Sequence, residues 1–194
     1  MAPRTSELSR KTRETEVAVR LALDGAGEVK VSTGLGFLDH LLTALACHAR
    51  FDLELSCRGD LAVDDHHTVE DCALALGAAV DEALGDRSGI ARFGDAHAPL
   101  DEALARAVVD LSGRPYAAVA LCLARPSIGD VAAENVVHAF VSLAMAMRAA
   151  IHLDVLRGDN DHHRAEAAAK ALALALRRAV ALDGDGVRST KGVL

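Results

Sequence analysis

The pentad His-His-x-x-Glu occurs twice, as His66-His67-Thr68-Val69-Glu70 and as His162-His163-Arg164-Ala165-Glu166. Arg-Gly-Asp precedes each copy, at Arg58-Gly59-Asp60 and Arg157-Gly158-Asp159, and each is preceded in turn by a short apolar stretch of strand character, Phe51 to Cys57 and Ile151 to Leu156. A duplication of this extent demands a fold of two similar halves, each placing its pentad at an equivalent point.

Polar residues of N-cap type, Asp64-Asp65 and Asn160-Asp161, stand directly before the pentads, and Ala- and Leu-rich runs follow to about Gly85 and Asp183. Each pentad is therefore expected to open a helix. The run Ala171-Leu172-Ala173-Leu174-Ala175-Leu176 alternates like a strand, but its capped start and the high helix propensity of Ala, Leu, Lys and Arg decide for helix. In a first turn the helix dipole disfavours imidazolium and favours neutral imidazole and carboxylate, the states that bind metal. Residues four apart share a helix face, so His66 with Glu70, and His162 with Glu166, can address one divalent ion. His67 lies roughly 100° around the helix from His66, so each pentad is expected to serve two different metals. A His-His pair at a helix start is more often a solvated cap; the duplication is what favours metal.

Extending the repeat backward adds His40, in Leu38-Asp39-His40-Leu41-Leu42, and His138, in Val136-Val137-His138-Ala139-Phe140. From His40 to His66 is 26 residues and from His138 to His162 is 24, the difference fitting a longer loop from Asp60 to Asp64. They become the seventh and eighth ligands. His152 has no counterpart and is read as a strand residue near the core.

The 194-residue length suits one domain of two halves sharing a core. We place the pseudo-repeats at about 10–90 and 91–183, with a tail over 184–194. Apolar residues make up 51% but aromatics only 3%, so the core must be built from Ala, Leu and Val, whose small area per side chain makes burial by oligomerisation plausible. A net charge of −7 argues against a nucleic-acid partner. The segment Met1 to Glu16 lacks the apolar stretch of a signal peptide, and no run approaches bilayer length, so no membrane role is expected. Cys47, Cys57, Cys72 and Cys122 form no CxxC and are read as reduced core residues of a cytoplasmic protein.

After an N-terminal arm, Glu16 to Leu23 and Glu28 to Ser32 read as a hairpin closed by Asp24-Gly25-Ala26-Gly27, followed by a glycine-bearing loop, a helix over Asp39 to Ala49, a strand and the pentad helix. Ala107 to Leu111 and Tyr116 to Leu123, split by Gly113-Arg114-Pro115, read as the matching hairpin of the second half. The gap from Leu84 to Pro99 contains Arg87 to Asp95, a polar, glycine-bearing loop suited to ligand contact, or else a simple connector. Each half is thus an α+β unit of strands and two helices.

From about Arg10 to Leu194 the chain resembles the imidazoleglycerol-phosphate dehydratases of histidine biosynthesis. The resemblance is carried by Arg10-Lys11-Thr12-Arg13-Glu14-Thr15, Gly36-Phe37-Leu38-Asp39-His40, both pentads with the flanking Asp64-Asp65 and Asp71, Arg92-Phe93-Gly94-Asp95, Pro99-Leu100-Asp101-Glu102-Ala103, Gly113-Arg114-Pro115 and Ser189-Thr190-Lys191-Gly192. It implies duplicated half-domains of the ribosomal protein S5 domain 2-like type, each a mainly antiparallel sheet with two helices on one face. It also implies a cytoplasmic hydro-lyase that converts D-erythro-imidazoleglycerol phosphate to imidazole acetol phosphate and water, with the substrate held as imidazolate on metal. No Asp-x-Asp-Gly-Thr motif is present, so the monofunctional form is expected.

The resemblance further implies two Mn(II) ions per active site, ligated by His40, His66, His67, Glu70, His138, His162, His163 and Glu166, the same eight residues that the repeat picks out. Active sites are expected between subunits of a homo-oligomer, a 24-mer built from trimers. Glu14, Glu70 and Glu166 are the expected catalytic carboxylates, with Glu14 moving the proton. His48, Arg92, Arg114, Ser189 and Lys191 are expected to hold the phosphate. Ala44 departs from the family, which usually has Gln there near the phosphate. Asp39 is either an orienter of His40 or a helix cap. The rival reading is a binuclear metal hydrolase, which uses the same ligand types; outside enzymes, the metals could simply clamp subunits together.

Overall fold

The computed structural model describes residues 3–192. The first half runs β1 (Thr5–Lys11), β2 (Thr15–Ala22), β3 (Val29–Ser32), α1 (Gly36–Ala49), β4 (Asp52–Gly59) and α2 (His66–Leu84). The second runs β5 (Phe93–Leu100), β6 (Ala103–Asp110), β7 (Tyr116–Ala120), a small hairpin of β8 (Ser127–Ile128) and β9 (Val131–Ala132), α3 (Ala133–Ala146), β10 (Ala150–Arg157) and α4 (Asp161–Ala179). The two four-stranded sheets have the same order, β1-β2-β4-β3 and β5-β6-β10-β7, so the duplication read from the pentads extends to the whole topology.

Neither expected hairpin forms. β4 lies between β2 and β3, antiparallel to the first and parallel to the second, and β10 stands in the same relation to β6 and β7. The physical reason is the helix that follows: β3-α1-β4 and β7-α3-β10 are crossover units, and a crossover returns the chain parallel to the strand it left. The turn after β2 therefore spans the end of β4, where Asp52 Oδ1 accepts the backbone N–H groups of Ala26, Gly27 and Glu28 at 2.8–3.0 Å. Two further strands replace expected irregular segments. β1 takes residues 5–11 of the N-terminal arm and pairs with β2, and β5, residues 93–100, begins within the segment read as a loop and pairs with β6. His152 is exposed on the outer face of β10, its ring 5.5 Å from that of Tyr116, because it occupies the outward position between buried Ile151 and Leu153. Of the cysteines only Cys72 is buried; Cys57 is half-buried and Cys47 and Cys122 are exposed, all four free.

The helices lie between the sheets. α1 and α2 cover the first sheet, α3 and α4 the second, and the pairs pack across the middle as α1 on α4 and α2 on α3. Strand alternation supplies the inward faces, with Val17, Val19 and Leu21 on β2 and Leu53 and Leu55 on β4 all buried. In the second half these faces are Ala-rich, at Ala96, Ala98, Ala105 and Ala107, and they pack on α4, whose Ala168, Ala171 and Ala175 are buried too. Small side chains let helix and sheet approach until dispersion contacts become numerous. At Gly94 the approach leaves no room for a side chain: a Cβ would lie 2.0 Å from the Ala175 carbonyl oxygen. Among the described residues no helix is long and apolar enough to cross a membrane.

Candidate metal centres

Both pentads begin helices, but their N-termini are closed differently. Asn160 Oδ1 accepts the His162 N–H at 2.9 Å as a side-chain cap. Before α2 it is Asp64 Oδ1 that accepts the His66 N–H at 2.9 Å, while Asp65 reaches across to the Ala132 N–H at 2.8 Å. Asp65 thereby ties the start of α2 to the start of α3. Asp130 likewise accepts the N–H groups of Gly36 and Phe37 at the start of α1, at 2.5 and 3.0 Å. These polar ties hold the helix starts that carry the histidines together at one end of the molecule.

Because α1 packs on α4 and α2 on α3, the histidines pair across the halves. His40 joins His162 and Glu166, and His66 joins Glu70 and His138; in each group one ligand atom per residue lies within 4.8 Å of the others. His40 Nε2 is 2.9 Å and His162 Nε2 3.2 Å from Glu166 Oε2. His138 Nε2 is 2.9 Å from Glu70 Oε1, and the His66 and His138 rings stack at 5.0 Å. Burial alone would raise the Glu166 carboxyl, but hydrogen bonds from Lys170 and His40 outweigh it and hold it at about 2, with Lys170 Nζ 2.7 Å away. The group is thus a carboxylate at any physiological pH.

His67 and His163 belong to neither triad. Asp60 lies beside His67 Nδ1, at 3.1 and 3.3 Å through its two oxygens, and Glu102 Oε2 lies 2.7 Å from His163 Nδ1. Both imidazoles are raised above their usual pKa, chiefly by these hydrogen bonds. Glu102 is held down to about 2, first by the Asn160 N–H, then by His163 and the Asp159 N–H. The turn between β1 and β2 brings Glu14 Oε2 to 3.8 Å from His67 Nε2. The turn between β5 and β6 brings Asp101 to 4.0 Å from His163 Nε2.

The expected phosphate ligands separate into two places. Arg92, Arg114, Ser189 and Lys191 line one open recess of about 880 Å³, joined there by Arg188. Arg92 is fixed by Asp110, which receives its Nε at 2.7 Å and its Nη2 at 3.1 Å, and by the Arg188 carbonyl, which accepts from Nη1 at 2.5 Å. His48 is exposed on the last turn of α1 and lies outside that lining, as does Ala44. Asp39, in the first turn of α1, ties the incoming chain to the helix, its Oδ1 accepting the Thr33 hydroxyl at 2.6 Å and the Thr33 N–H at 2.8 Å.

Several residues at the site escaped the reading of the sequence. Lys170 is four residues beyond Glu166 on the same helix, a spacing that could have revealed the pair. Asp60 belongs to the repeated Arg-Gly-Asp and could have been suspected from it. Glu102 stood in the segment Pro99 to Ala103 that carries the resemblance but had no role assigned to it, and Asn135, whose Oδ1 is 3.0 Å from His66 Nδ1, carried no such signal.

The donor chemistry of two imidazoles and a carboxylate per triad suits Mn(II) or a similar divalent ion. Residues 33–176 match the family Imidazoleglycerol-phosphate dehydratase. The chain is 52% identical over 193 residues to the imidazoleglycerol-phosphate dehydratase of Chlorobium luteolum, a match covering 100% of this chain and 96% of that protein. It is 62% identical over 192 residues to that of Phytophthora nicotianae, which covers 98% of this chain but 42% of that longer protein. In structure it is similar to imidazoleglycerol-phosphate dehydratase from Pyrococcus furiosus in complex with (S)-C348, with a TM-score of 0.82 at 37% identity over 96% of this chain and 100% of that one. The enzyme from Staphylococcus aureus gives a TM-score of 0.79 at 32% identity over 92% and 99%. A match of this depth, running through the duplicated sheets and both pentads, shows that the chain belongs to the imidazoleglycerol-phosphate dehydratase family, hydro-lyases of histidine biosynthesis.

Proposed function

We propose that the chain dehydrates D-erythro-imidazoleglycerol phosphate to imidazole acetol phosphate in a Mn(II)-dependent reaction, at sites completed between copies of the chain. The observation that carries this reading is the convergence of His40, His162 and Glu166, and of His66, Glu70 and His138, into two open triads. The two Mn(II) ions, when bound, would act as Lewis acids that stabilise negative charge on the substrate imidazole as the poorly acidic C–H bond breaks.

The protein's own groups divide the remaining work. Arg92, oriented by Asp110, would meet the phosphate with Arg114, Ser189 and Lys191; an arginine fork offers paired N–H donors and Lys191 a point charge. Glu14 stands where a proton could pass between its carboxylate and a substrate lying over His67. Glu70 and Glu166 supply the anionic ligand of each triad.

Three ligands per triad leave His67 and His163 over, their Nε2 atoms lying 3.8 Å from Glu14 and 4.0 Å from Asp101. Four protein ligands per metal then require one such histidine from another copy, which supports a homo-oligomer; a 24-mer built from trimers, working in the cytoplasm, is the assembly we propose. The test is turnover of imidazoleglycerol phosphate by protein stripped with chelator and reloaded with Mn(II), following the ketone product. Metal-dependent product supports the reading. Absence of product from assembled, metal-loaded protein, or release of inorganic phosphate in its place, would overturn it in favour of a hydrolase.

A further inference from the structure

We infer that Asp60 and Glu102 are positioning residues for His67 and His163, each carboxylate accepting a hydrogen bond from the Nδ1–H of one imidazole and so reserving its Nε2 lone pair for metal. The inference deepens the dehydratase reading and takes the identity of the reaction from it.

The geometry is the same at both places although the elements are not. Asp60 follows β4 and has both oxygens within 3.3 Å of His67 Nδ1. Glu102 comes from the turn between β5 and β6 and reaches His163 Nδ1 at 2.7 Å. By the sequence repeat, the counterpart of Asp60 is Asp159. Yet Asp159 contributes its backbone N–H to Glu102 Oε1 at 3.1 Å, beside that of Asn160 at 2.9 Å. Two carboxylates of different origin thus arrive on the same ring atom of equivalent histidines, which simple inheritance from a repeated unit does not explain.

Glu102 also holds the backbone N–H groups of Asp159 and Asn160, but structural need does not explain Asp60. Among the described residues His67 is the only side-chain partner of the Asp60 carboxylate, the pair is partly exposed, and surface pairs of this kind add little to stability. The four triad histidines are held otherwise. His40, His138 and His162 each contact a triad glutamate, and Asn135 Oδ1 lies at His66 Nδ1. His67 and His163 lie outside the triads, and among the described residues no other side chain comes within hydrogen-bond distance of their rings, Glu14 and Asp101 standing at 3.8 and 4.0 Å. A neutral imidazole carries one N–H and one lone pair; a carboxylate at Nδ1 selects the tautomer whose Nε2 can bind metal, and such outer partners are worth about 10- to 100-fold in metal affinity.

The experiment compares chelator-stripped wild type with Asp60→Ala, Asp60→Asn, Glu102→Ala and Glu102→Gln, titrating each with Mn(II) and following the free ion by electron paramagnetic resonance, with circular dichroism to establish folding. The alanine variants should bind Mn(II) about 10- to 100-fold more weakly. The amide variants, which keep an oxygen acceptor for Nδ1–H, should recover most of that loss. Wild-type affinity in the alanine variants, or no recovery in the amide variants, overturns the inference. A second measurement needs no variant at Asp60 or Glu102: ¹⁵N resonances of stripped protein in alkaline buffer, assigned with His67→Gln and His163→Gln, should show both rings as Nδ1–H tautomers, and Nε2–H tautomers would overturn it. Wild-type turnover in parallel separates the two failures, since an inactive wild type sinks the dehydratase reading while leaving the affinity comparison to judge Asp60 and Glu102.

Discussion

Asn135 and Phe37 occupy equivalent positions, each three residues before the triad histidine of its own helix, His138 and His40, yet they treat the opposing pentad differently. Asn135 Oδ1 lies 3.0 Å from His66 Nδ1. The Phe37 ring packs at 5.2 Å from that of His162 and makes no such bond. The two triads therefore have the same ligand types but different surroundings: one imidazole has a polar partner, the other an apolar wall.

Removing that partner should make the triads separable. Asn135→Ala is expected to weaken metal binding at His66, Glu70 and His138 by about 10-fold while leaving His40, His162 and Glu166 unchanged. A Mn(II) titration of stripped protein should then resolve a weakened class of sites beside an unaltered one; uniform weakening of all sites would contradict the assignment.

Glu14, the residue we propose moves the proton, is not a member of either triad. Glu14→Gln should lower kcat by about 10²- to 10⁴-fold with little change in Mn(II) affinity. Steady-state kinetics together with the metal titration check this. Loss of metal binding in parallel would mean that Glu14 is a ligand instead.

The contact at Gly94 predicts intolerance of any side chain. Gly94→Ala must push α4 off the second sheet, and overpacking of this kind costs about 1–3 kcal/mol. A lowered Tm by calorimetry is the expected result, with Gly94→Val worse. An unchanged Tm would show that the helix can shift freely.

Asp52 ties pH to the first sheet. Its carboxylate is held below the usual range, first by the Glu28 N–H and then by that of Ala26, against a small opposing effect of burial, with the Gly27 N–H adding to the same direction. A folded pKa below the unfolded value of about 3.9 stabilises the fold above that value, and the contribution is lost as pH falls through the folded pKa. Denaturant unfolding of Asp52→Asn across acid pH should accordingly show a shallower acid-side loss of stability than wild type.

What the sequence disclosed was what its repeats encode. The pentads, His40 and His138 were readable because duplication doubles a weak local signal, and the α+β halves followed from the same alignment. Pairing was not readable in the same way. Local turn residues at Asp24 to Gly27 suggested a hairpin, whereas the partner of β3 is fixed by a crossover through α1, a non-local event. The strand β5 was hidden because its inward residues are Gly94, Ala96 and Ala98, which present too little hydrophobic contrast to stand out against Asp95 and His97. The cross-half grouping of His40 with His162, and of His138 with His66, depends on which helices pack together, and no spacing along the chain states that.

The packing of α1 on α4 and of α2 on α3 means that each triad takes one histidine from one half and a histidine with a glutamate from the other. A half-length chain with this topology could assemble a triad only by pairing with a second copy, and symmetry would then make both triads identical. Joining the halves in one polypeptide removed that requirement, and the contrast between Phe37 and Asn135 is a difference that only the joined chain can hold.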